Sequence, residues 1–279
     1  MINLKRQVIY IYGADSLSFI QGLVTQDINN LQDSIIAPGL LLNANGKILN
    51  DFYIFKFKDG YILDCSSNSS IITKLEMYIL RAQVKIELTD INVYASMPKH
   101  NEDYNNEDTK HIACFKHPLC DQLGTRIYTN SNYETSTQDE DLYNTTRLIN
   151  GIIEASDAPI ESILPIEAGF DELGYINYNK GCYLGQEKTN SAKRRLAIRY
   201  RYIPVIASKS LNLDLNEKIE VVINSQVIGK VVTEHNNTYI VRIKMKALIN
   251  AINNNEDIYI HNSVVTAKIP NYVSHYTLD

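Results

Sequence analysis

The sequence predicts an α+β protein that ends in a small, mostly antiparallel β-domain. Helical and strand patterns are interleaved before Tyr200 without a regular βαβ period. From about Tyr200 onward, β-rich runs follow one another through short polar turns. The chain has 279 residues, 44% of them hydrophobic and 21% charged, so it can bury a real core.

Alternating or β-rich runs predict strands in the first half of the chain over residues 7–12, 51–57, 61–65, 84–88 and 91–97. An Asp59-Gly60 pair separates the second and third of these runs and predicts a hairpin. Apolar residues at helical spacing follow Asp15 or Ser16, and again Ser69 or Ser70, each of which can cap a helix.

Two polar stretches, residues 99–110 and 129–138, are predicted loops. A helix is predicted over residues 139–150, since it has acids in its first turn, Arg147 near its end and Gly151 just beyond it. Four runs predict the strands of the C-terminal domain, over residues 201–207, 218–223, 227–233 and 239–243.

Charge and cysteine usage exclude several classes of protein. The formal net charge of −5 argues against a protein that binds duplex nucleic acid through its phosphates. The four cysteines are scattered without a C-x-x-C pair, which excludes a disulfide scaffold and a zinc ribbon; they are Cys65, Cys114, Cys120 and Cys182. We find neither a signal peptide nor an apolar run long enough to span a membrane, and we expect a cytoplasmic protein.

One segment concentrates chemistry that a buried core segment rarely carries. It reads Lys180-Gly181-Cys182-Tyr183-Leu184-Gly185-Gln186-Glu187. The two glycines permit a turn, and we expect this turn to lead into a helix near Gln186. A helix N-terminus and Lys180 would both lower the pKa of the Cys182 thiol, whereas Glu187 would oppose them.

Cys182 is therefore predicted to be a reactive thiol or a transient ligand of soft metal. One thiol cannot hold zinc or an iron–sulfur cluster alone, so we expect no permanently bound metal. The competing interpretation is that Cys182 is a small buried apolar residue. We treat the other three cysteines as structural.

The same eight residues resemble the signature of the YgfZ-type folate-binding proteins, relatives of the glycine-cleavage T-protein (aminomethyltransferase) that support the maturation of iron–sulfur enzymes. Three further blocks resemble that family in the same order, over residues 13–27, 41–51 and 164–167. The resemblance implies a folate-binding module with a central cavity over residues 1–198 and a β-barrel-like domain over residues 199–279. It also implies an accessory role in maturing or repairing 4Fe–4S proteins, with iron–sulfur assembly proteins or client enzymes as partners.

The resemblance implies weak binding of tetrahydrofolate or a derivative. Candidate contacts are Arg147, Glu167, Gln186, Asp51, Arg199 and Arg201. Two of them also fit purely structural roles, since Arg147 can be a cation at a helix end and Glu167 can cap a turn. Residues 188–210 contain seven cations and no acid, which fits either a solvated surface or a site for an anionic ligand such as a polyglutamyl tail.

The chain departs from the family pattern at four positions. Asn50 replaces the first of two successive acids, which is catalytic in aminomethyltransferases, and Asp51 is the second. An amide cannot accept a proton as a carboxylate does, so that reaction is disfavoured. Ile149 replaces a carboxylate that the T-protein uses against the pterin, and Ser191 and Leu196 replace an arginine and a glycine.

Two alternatives stay open from the sequence. The chain's relatedness to aminomethyltransferases favours a folate-dependent one-carbon or aminomethyl transferase, and Asn50 weakens this alternative. The basic run suggests a tRNA-modification accessory protein, against which the acidic remainder of the chain counts.

Overall fold

A computed structural model describes residues 1–98, 111–154, 157, 163–195 and 198–273. Its strands are β1 (Ile2–Asn3), β2 (Arg6–Tyr12), β3 (Ala37–Leu42), β4 (Ile48–Phe57), β5 (Gly60–Ser66), β6 (Lys85–Leu88), β7 (Asn92–Ser96), β8 (His111–Lys116), β9 (Thr125–Thr129), β10 (Tyr200–Ala207), β11 (Glu220–Ile223), β12 (Gln226–His235), β13 (Thr238–Lys244), β14 (Ile258–Ile260) and β15 (Ser263–Ala267). The helices are α1 (Ser16–Leu23), α2 (Ile71–Glu76), α3 (Thr137–Ile149), α4 (Gln186–Arg195) and α5 (Met245–Asn253), with a 3₁₀ turn at Asp121–Leu123.

The first sheet is antiparallel, with strand order β3-β4-β5-β2-β6. Side chains of β4 alternate between its two faces, as the period of a strand requires. Phe52 and Ile54 pack into the core beneath α1 and α2, whereas Tyr53 and Phe55 pack into a second core. Both faces of this sheet are therefore covered.

The second sheet, with strand order β1-β7-β9-β8, supplies that second core. Val93 of β7 and Tyr128 of β9 pack against Tyr53 and Phe55 of the first sheet. Helix α3 also packs against this sheet, and its Tyr143 lies among the apolar side chains of the sheet. The N-terminal part of the chain is thus built from two antiparallel sheets and their helices.

The C-terminal strands close into a six-stranded barrel of order β10-β13-β12-β11-β14-β15. Its interior is filled by fully buried aliphatic and aromatic side chains such as Val205, Tyr239 and Val241, and Leu248 of α5 packs against them. This confirms the predicted fold class of an α+β module followed by an antiparallel barrel.

The hairpin between β4 and β5 forms, but its turn is not at Asp59-Gly60 as predicted. Phe57 pairs with Gly60, so the two turn residues are Lys58 and Asp59, and Lys58 takes the positive φ of 51°. Gly60 lies in the strand, where a Cβ would stand 2.3 Å from the carbonyl oxygen of Ile11. Close approach of β2, rather than turn geometry, requires this glycine.

Several further elements differ from the prediction. Helix α3 begins two residues early, at Thr137, because the Ser136 side chain accepts a hydrogen bond from the Asp139 amide at 3.4 Å. Helix α5 and the strands β1, β3, β8, β9, β14 and β15 were not predicted. The predicted loop over residues 99–110 lies outside the described residues. No helix in the described part of the chain is long and apolar enough to cross a membrane.

Candidate functional site

Cys182 is exposed on a short loop whose neighbouring side chains are buried. Lys180 and Tyr183 are each only 7% exposed, whereas Gly181 and Cys182 between them are open to solvent. Helix α4 begins at Gln186, as the sequence predicts. The loop therefore presents one thiol between two fixed points.

Lys180 fixes the loop to the N-terminal segment of the chain. Its ammonium donates hydrogen bonds to the carbonyl oxygens of Gln21, Val24 and Gln26 at 2.7, 2.6 and 2.8 Å, which uses all three of its N–H groups. Burial lowers the pKa of Lys180 to about 8, and the nearby Asp27 opposes that shift. The ammonium acts as an anchor, while its effect on the Cys182 thiol stays a prediction.

Tyr183 is the second fixed point. Its ring packs in a core that includes Leu42, Ile48 and Tyr175, and the Lys180 ammonium lies 5.2 Å from the ring centroid. Burial raises the pKa of the Tyr183 hydroxyl to about 12, so the side chain stays neutral. Removing this ring would leave a cavity directly beneath the cysteine.

Gly185 lets the motif approach the turn that precedes β4. It has a positive φ of 81°, and a Cβ there would stand 2.5 Å from the carbonyl oxygen of Asn43. Gly46 on that turn has a φ of 71°, and its Cβ would stand 2.8 Å from the Cβ of Lys188. The turn is itself held by the Asn43 side chain, which accepts the amide of Lys47 at 3.0 Å.

Thr25 joins the first sequence block to the loop region. Its hydroxyl donates to the carbonyl oxygen of Tyr175 at 2.6 Å and accepts the amide of Leu40 at 2.9 Å. The amide of Asn177 in turn donates to the Thr25 carbonyl oxygen at 3.0 Å. The blocks over residues 13–27 and 41–51 therefore meet the cysteine motif in space.

Arg147 is buried and already paired. Its guanidinium donates to both carboxylate oxygens of Asp157, one of them at 2.8 Å, and to the carbonyl oxygen of Ile152 at 3.0 Å. Burial lowers the pKa of Arg147, but Asp157, Glu154 and Tyr143 together raise it above its usual value, so the group stays charged. Arg147 lies in the last turn of α3, as the structural interpretation expects, but it is buried in an internal ion pair rather than on a solvated face, and its contact with folate stays a prediction.

Glu167 and Arg201 join the N-terminal module to the barrel. Both carboxylate oxygens of Glu167 accept hydrogen bonds from Arg242 at 3.0 Å. Arg201 is buried, donates to the carbonyl oxygen of Ile166 at 2.8 Å and forms an ion pair with Glu172. These two candidate folate contacts are therefore occupied by contacts within the protein.

Asn50 and Asp51 face opposite sides of β4, and both are buried. The Asn50 amide donates to the Ser69 hydroxyl at 2.7 Å, and its carbonyl oxygen accepts from the Lys74 ammonium at 3.3 Å. Asn50 thus serves as a structural hydrogen-bonding group between the sheet and α2.

The remaining candidates lie in or near α4 and α3. Gln186 and Ser191 are half-buried on α4, Glu187 is exposed, and Leu196 lies outside the described residues. Ile149 lines a cavity of about 520 Å³ between the end of α3 and the segment 268–272.

The basic run is divided by the fold. Its exposed members are Lys188, Lys193, Arg194, Arg199 and Lys209. Arg201 points into the structure, and the ammonium of Lys193 lies 3.5 Å from the ring centroid of Tyr178. An anion approaching this surface meets a smaller positive charge than the sequence alone suggests.

A buried charge cluster around Asp64 was not predicted from the sequence. The Asp64 carboxylate accepts from Arg6 at 2.6 Å, from Arg126 at 2.5 Å and from the Tyr128 hydroxyl at 2.7 Å. Burial alone would raise the pKa of Asp64, but Arg126 and Arg6 outweigh it and lower the pKa. The signal in the sequence is weak, since it is a single acid inside the β-rich run over residues 61–65.

No three His, Cys, Asp or Glu side chains in the described ranges lie close enough together to hold a metal ion. Cys182 thus has no second and third protein ligand there. Any cluster it contacts would need ligands from elsewhere.

Comparison with known proteins gives relatives in sequence and in structure. No family model matches the chain. It is 27% identical over 219 residues to an iron–sulfur cluster assembly factor IBA57 homolog, mitochondrial, from Pyricularia oryzae, covering 72% of this chain and 56% of that protein. The corresponding homolog from Dictyostelium discoideum is 26% identical over 252 residues, covering 73% of this chain and 61% of that protein. The chain thus spans somewhat more than half the length of these relatives.

A solved structure shares the fold. The glycine cleavage system aminomethyltransferase T from Bartonella henselae matches with a TM-score of 0.69 at 10% identity, covering 96% of this chain and 84% of that one. At that identity the likeness concerns the fold alone. The chain therefore has the T-protein fold and is similar in sequence to iron–sulfur cluster assembly factors, and both findings fit its resemblance to the YgfZ-type proteins.

Proposed function

We propose that this chain is an accessory factor in the maturation or repair of 4Fe–4S proteins and that it acts through Cys182. The observation that carries the proposal is an exposed thiol held between the buried anchors Lys180 and Tyr183. Cys65 is buried, and Cys114 and Cys120 are only partly exposed. The names of the relatives, which are iron–sulfur cluster assembly factors, support the same role.

The chemistry available to Cys182 is that of a single thiolate. After losing its proton, the sulfur can replace one ligand of an iron–sulfur cluster that another protein holds. The cluster is then a substrate, and the remaining ligands come from the assembly protein or the client enzyme. A loop with two fixed ends holds the thiol in place for that exchange at little entropic cost.

Gene deletion tests this proposal. Several iron–sulfur enzymes are assayed in the deletion strain, which is then complemented with wild type, Cys182→Ser or Cys120→Ser. We expect deletion to lower these activities and Cys120→Ser to restore them, whereas Cys182→Ser accumulates without restoring them. Full restoration by Cys182→Ser would contradict a role for the thiol.

Aminomethyl transfer is the competing function, and the hydrogen bonds of Asn50 count against it. Its amide is engaged by Ser69 and Lys74 and carries no carboxylate for proton transfer. We expect the purified protein to show no tetrahydrofolate-dependent turnover of an aminomethyl donor. A clear rate that disappears in Asn50→Ala would establish the transferase instead.

Weak binding of a reduced folate is the second part of the proposal. Three of the residues expected to contact it, Arg147, Glu167 and Arg201, already hold ion pairs within the protein. Binding must therefore use other groups, which is why we expect it to be weak. No step of the proposed cluster exchange depends on the folate.

Two further measurements test the location of the protein and its binding of RNA. The relatives carry the word mitochondrial in their names, whereas the sequence led us to expect a cytoplasmic protein. Fractionation of cells that express the tagged full chain distinguishes these locations. Salt-sensitive retention of RNA by the purified protein would favour the tRNA-modification alternative.

A further inference from the structure

The thiol of Cys114 is hydrogen-bonded to an imidazole, and the proposed function does not use this pair. Its sulfur lies 3.4 Å from Nδ1 of His111, and Nε2 of the same ring lies 2.8 Å from the hydroxyl oxygen of Tyr133. When Nδ1 accepts the thiol proton's hydrogen bond, Nε2 carries the ring proton and donates it to Tyr133. A thiol, an oriented base and a group that orients the base are the parts of an activated nucleophile.

A β-bulge creates this arrangement. Residues three apart in a regular strand point to opposite faces, so His111 and Cys114 would not meet. The register of β8 against β9 shifts between His111 and Ala113, which brings the two side chains to one side. Tyr133 is fixed in turn, because its amide donates to the hydroxyl of Tyr94 at 3.2 Å and the two rings pack edge to face.

Cys114 also lines a cavity of about 640 Å³. The apolar residues around this cavity are Ile35, Ile36, Ala37, Pro38, Phe115 and Leu173. Pro118 is a further apolar lining residue, and Ser34, Lys116 and His117 are polar. Lys116 is exposed, and His117 is buried, with an Nε2 that has no hydrogen-bond partner among the described residues.

His117 is a buried, neutral residue behind the cavity wall. Its Nδ1 accepts the amide of Leu119 at 3.3 Å, so the proton is on Nε2, which is a donor. Burial lowers the pKa of His117 to about 3, with Arg126 adding to that shift, and the ring is neutral. The cavity thus combines apolar walls with the exposed cation of Lys116, a combination that suits a flat apolar group bearing a carboxylate.

We propose that Cys114 and His111 form a thiol-exchange site for small disulfides that carry an aromatic or other apolar group and a carboxylate. His111 Nδ1 takes the proton of Cys114 as its sulfur attacks one sulfur of the disulfide. The disulfide's S–S bond breaks, a mixed disulfide forms on Cys114, and the departing thiolate takes the proton from His111. Cys114 is oxidised and half of the small disulfide is reduced. A second small thiol reverses the reaction.

The base matters because burial raises the pKa of Cys114, so that little thiolate exists at neutral pH without help. Cys120 is the internal control. It is also partly exposed and lines a different cavity, and no imidazole hydrogen bond to it is found among the described residues. A base-dependent rate at Cys114 alone would identify the pair.

The test uses the full chain with Cys182→Ser, so its outcome is independent of the proposed function. The probe is dithiobis(nitrobenzoate), and mass spectrometry follows the mixed disulfide at each cysteine. We expect Cys114 to react faster than Cys120, and His111→Ala to slow Cys114 by about tenfold or more while Cys120 keeps its rate. His111→Gln should slow Cys114 in the same way, because an amide cannot take the thiol proton.

Two further variants test the ligand class and the orienting group. Lys116→Ala should slow reaction with the anionic aromatic probe but not with cystamine, an aliphatic cationic disulfide. Tyr133→Phe should slow Cys114 less than His111→Ala does, because it removes only the group that orients the base. A Cys114 rate unchanged by His111→Ala would overturn the proposal, as would a preference for the aromatic probe over cystamine that is no greater at Cys114 than at Cys120. If Cys120 reacts faster in His111→Ala than in the parent chain, His111→Ala has loosened the fold. His111→Gln then replaces it in the test.

Discussion

Gly46 and Gly185 pack against each other backbone to backbone. A Cβ on Gly185 would stand 3.2 Å from the Cα of Gly46, and a Cβ on Gly46 would stand 3.2 Å from the carbonyl oxygen of Gly185. Both residues also have positive φ values, 71° and 81°. The turn before β4 and the cysteine loop can approach this closely only because neither residue has a side chain.

The first prediction concerns this contact. Gly185→Ala adds a methyl group 2.5 Å from the Asn43 carbonyl oxygen and imposes a strained φ, so we expect a loss of about 2–4 kcal/mol in the free energy of unfolding. Chemical denaturation measures it. Gly181→Ala is the control in the same loop, since nothing lies within 4 Å of its Cβ, and it should change stability by about 0.5 kcal/mol or less. Equal midpoints for the two variants would contradict this account.

The second prediction concerns thiol accessibility. Cys182 is exposed, Cys114 and Cys120 are partly exposed and Cys65 is buried. We expect a small uncharged alkylating agent to label Cys182 first and Cys65 last, because burial raises the pKa of the Cys65 thiol and blocks access to it. Mass spectrometry of timed digests gives the order. Labelling in denaturant, where all four should react alike, is the control, and Cys182 labelling slowest in the native protein would refute the prediction.

The third prediction concerns acid stability. Arg126 and Arg6 lower the pKa of Asp64 in the folded protein despite its burial, whereas the unfolded value is about 3.9. The unfolded chain therefore binds the proton first as pH falls, so this ion pair stabilises the fold fully above about pH 5 and progressively less below it. Asp64→Asn removes the carboxylate that pairs with two buried guanidinium groups. It should lower the free energy of unfolding by about 3–5 kcal/mol at neutral pH.

The control for Asp64 is a surface pair. Asp33 is 89% exposed and contacts Lys56 at 3.0 Å, so Asp33→Asn should cost about 1 kcal/mol or less. Denaturation curves at several pH values distinguish the two variants. If Asp64→Asn kept the wild-type slope of stability against pH between about 3 and 5, Asp64 would not be the group responsible.

The sequence was most informative where local chemistry decides the structure. The C-terminal end of α3, the strand alternation of β2 and the start of α4 after Gly185 each follow from a few adjacent residues. The cysteine motif could be found in the same way, since two glycines, a lysine and a thiol lie within eight residues. Long-range pairing leaves no such signature in a single sequence.

Arg147, Glu167 and Arg201 show what could not be predicted. Each resembled a ligand contact or a surface charge, and each is paired with a residue whose position depends on the complete fold. The partners Asp157 and Glu172 lie in segments without strong secondary-structure patterns, and Arg242 lies in a barrel strand. A buried ion pair joins residues whose spatial proximity no periodicity encodes.

The last prediction concerns folate and the exposed cations. If a reduced folate binds, its affinity should rise with the number of glutamates and fall with added salt, because long-range attraction to the basic surface is screened. The cations that can act are the exposed ones, so Arg199→Ala should reduce the advantage of a polyglutamyl over a monoglutamyl form by about twofold to fivefold. Lys58→Ala, which removes an exposed charge at the β4–β5 turn, should leave that advantage unchanged. Calorimetry at two salt concentrations measures these affinities. Equal binding of the two forms would remove the electrostatic argument, and no binding of either would leave this chain a T-protein fold without a folate role.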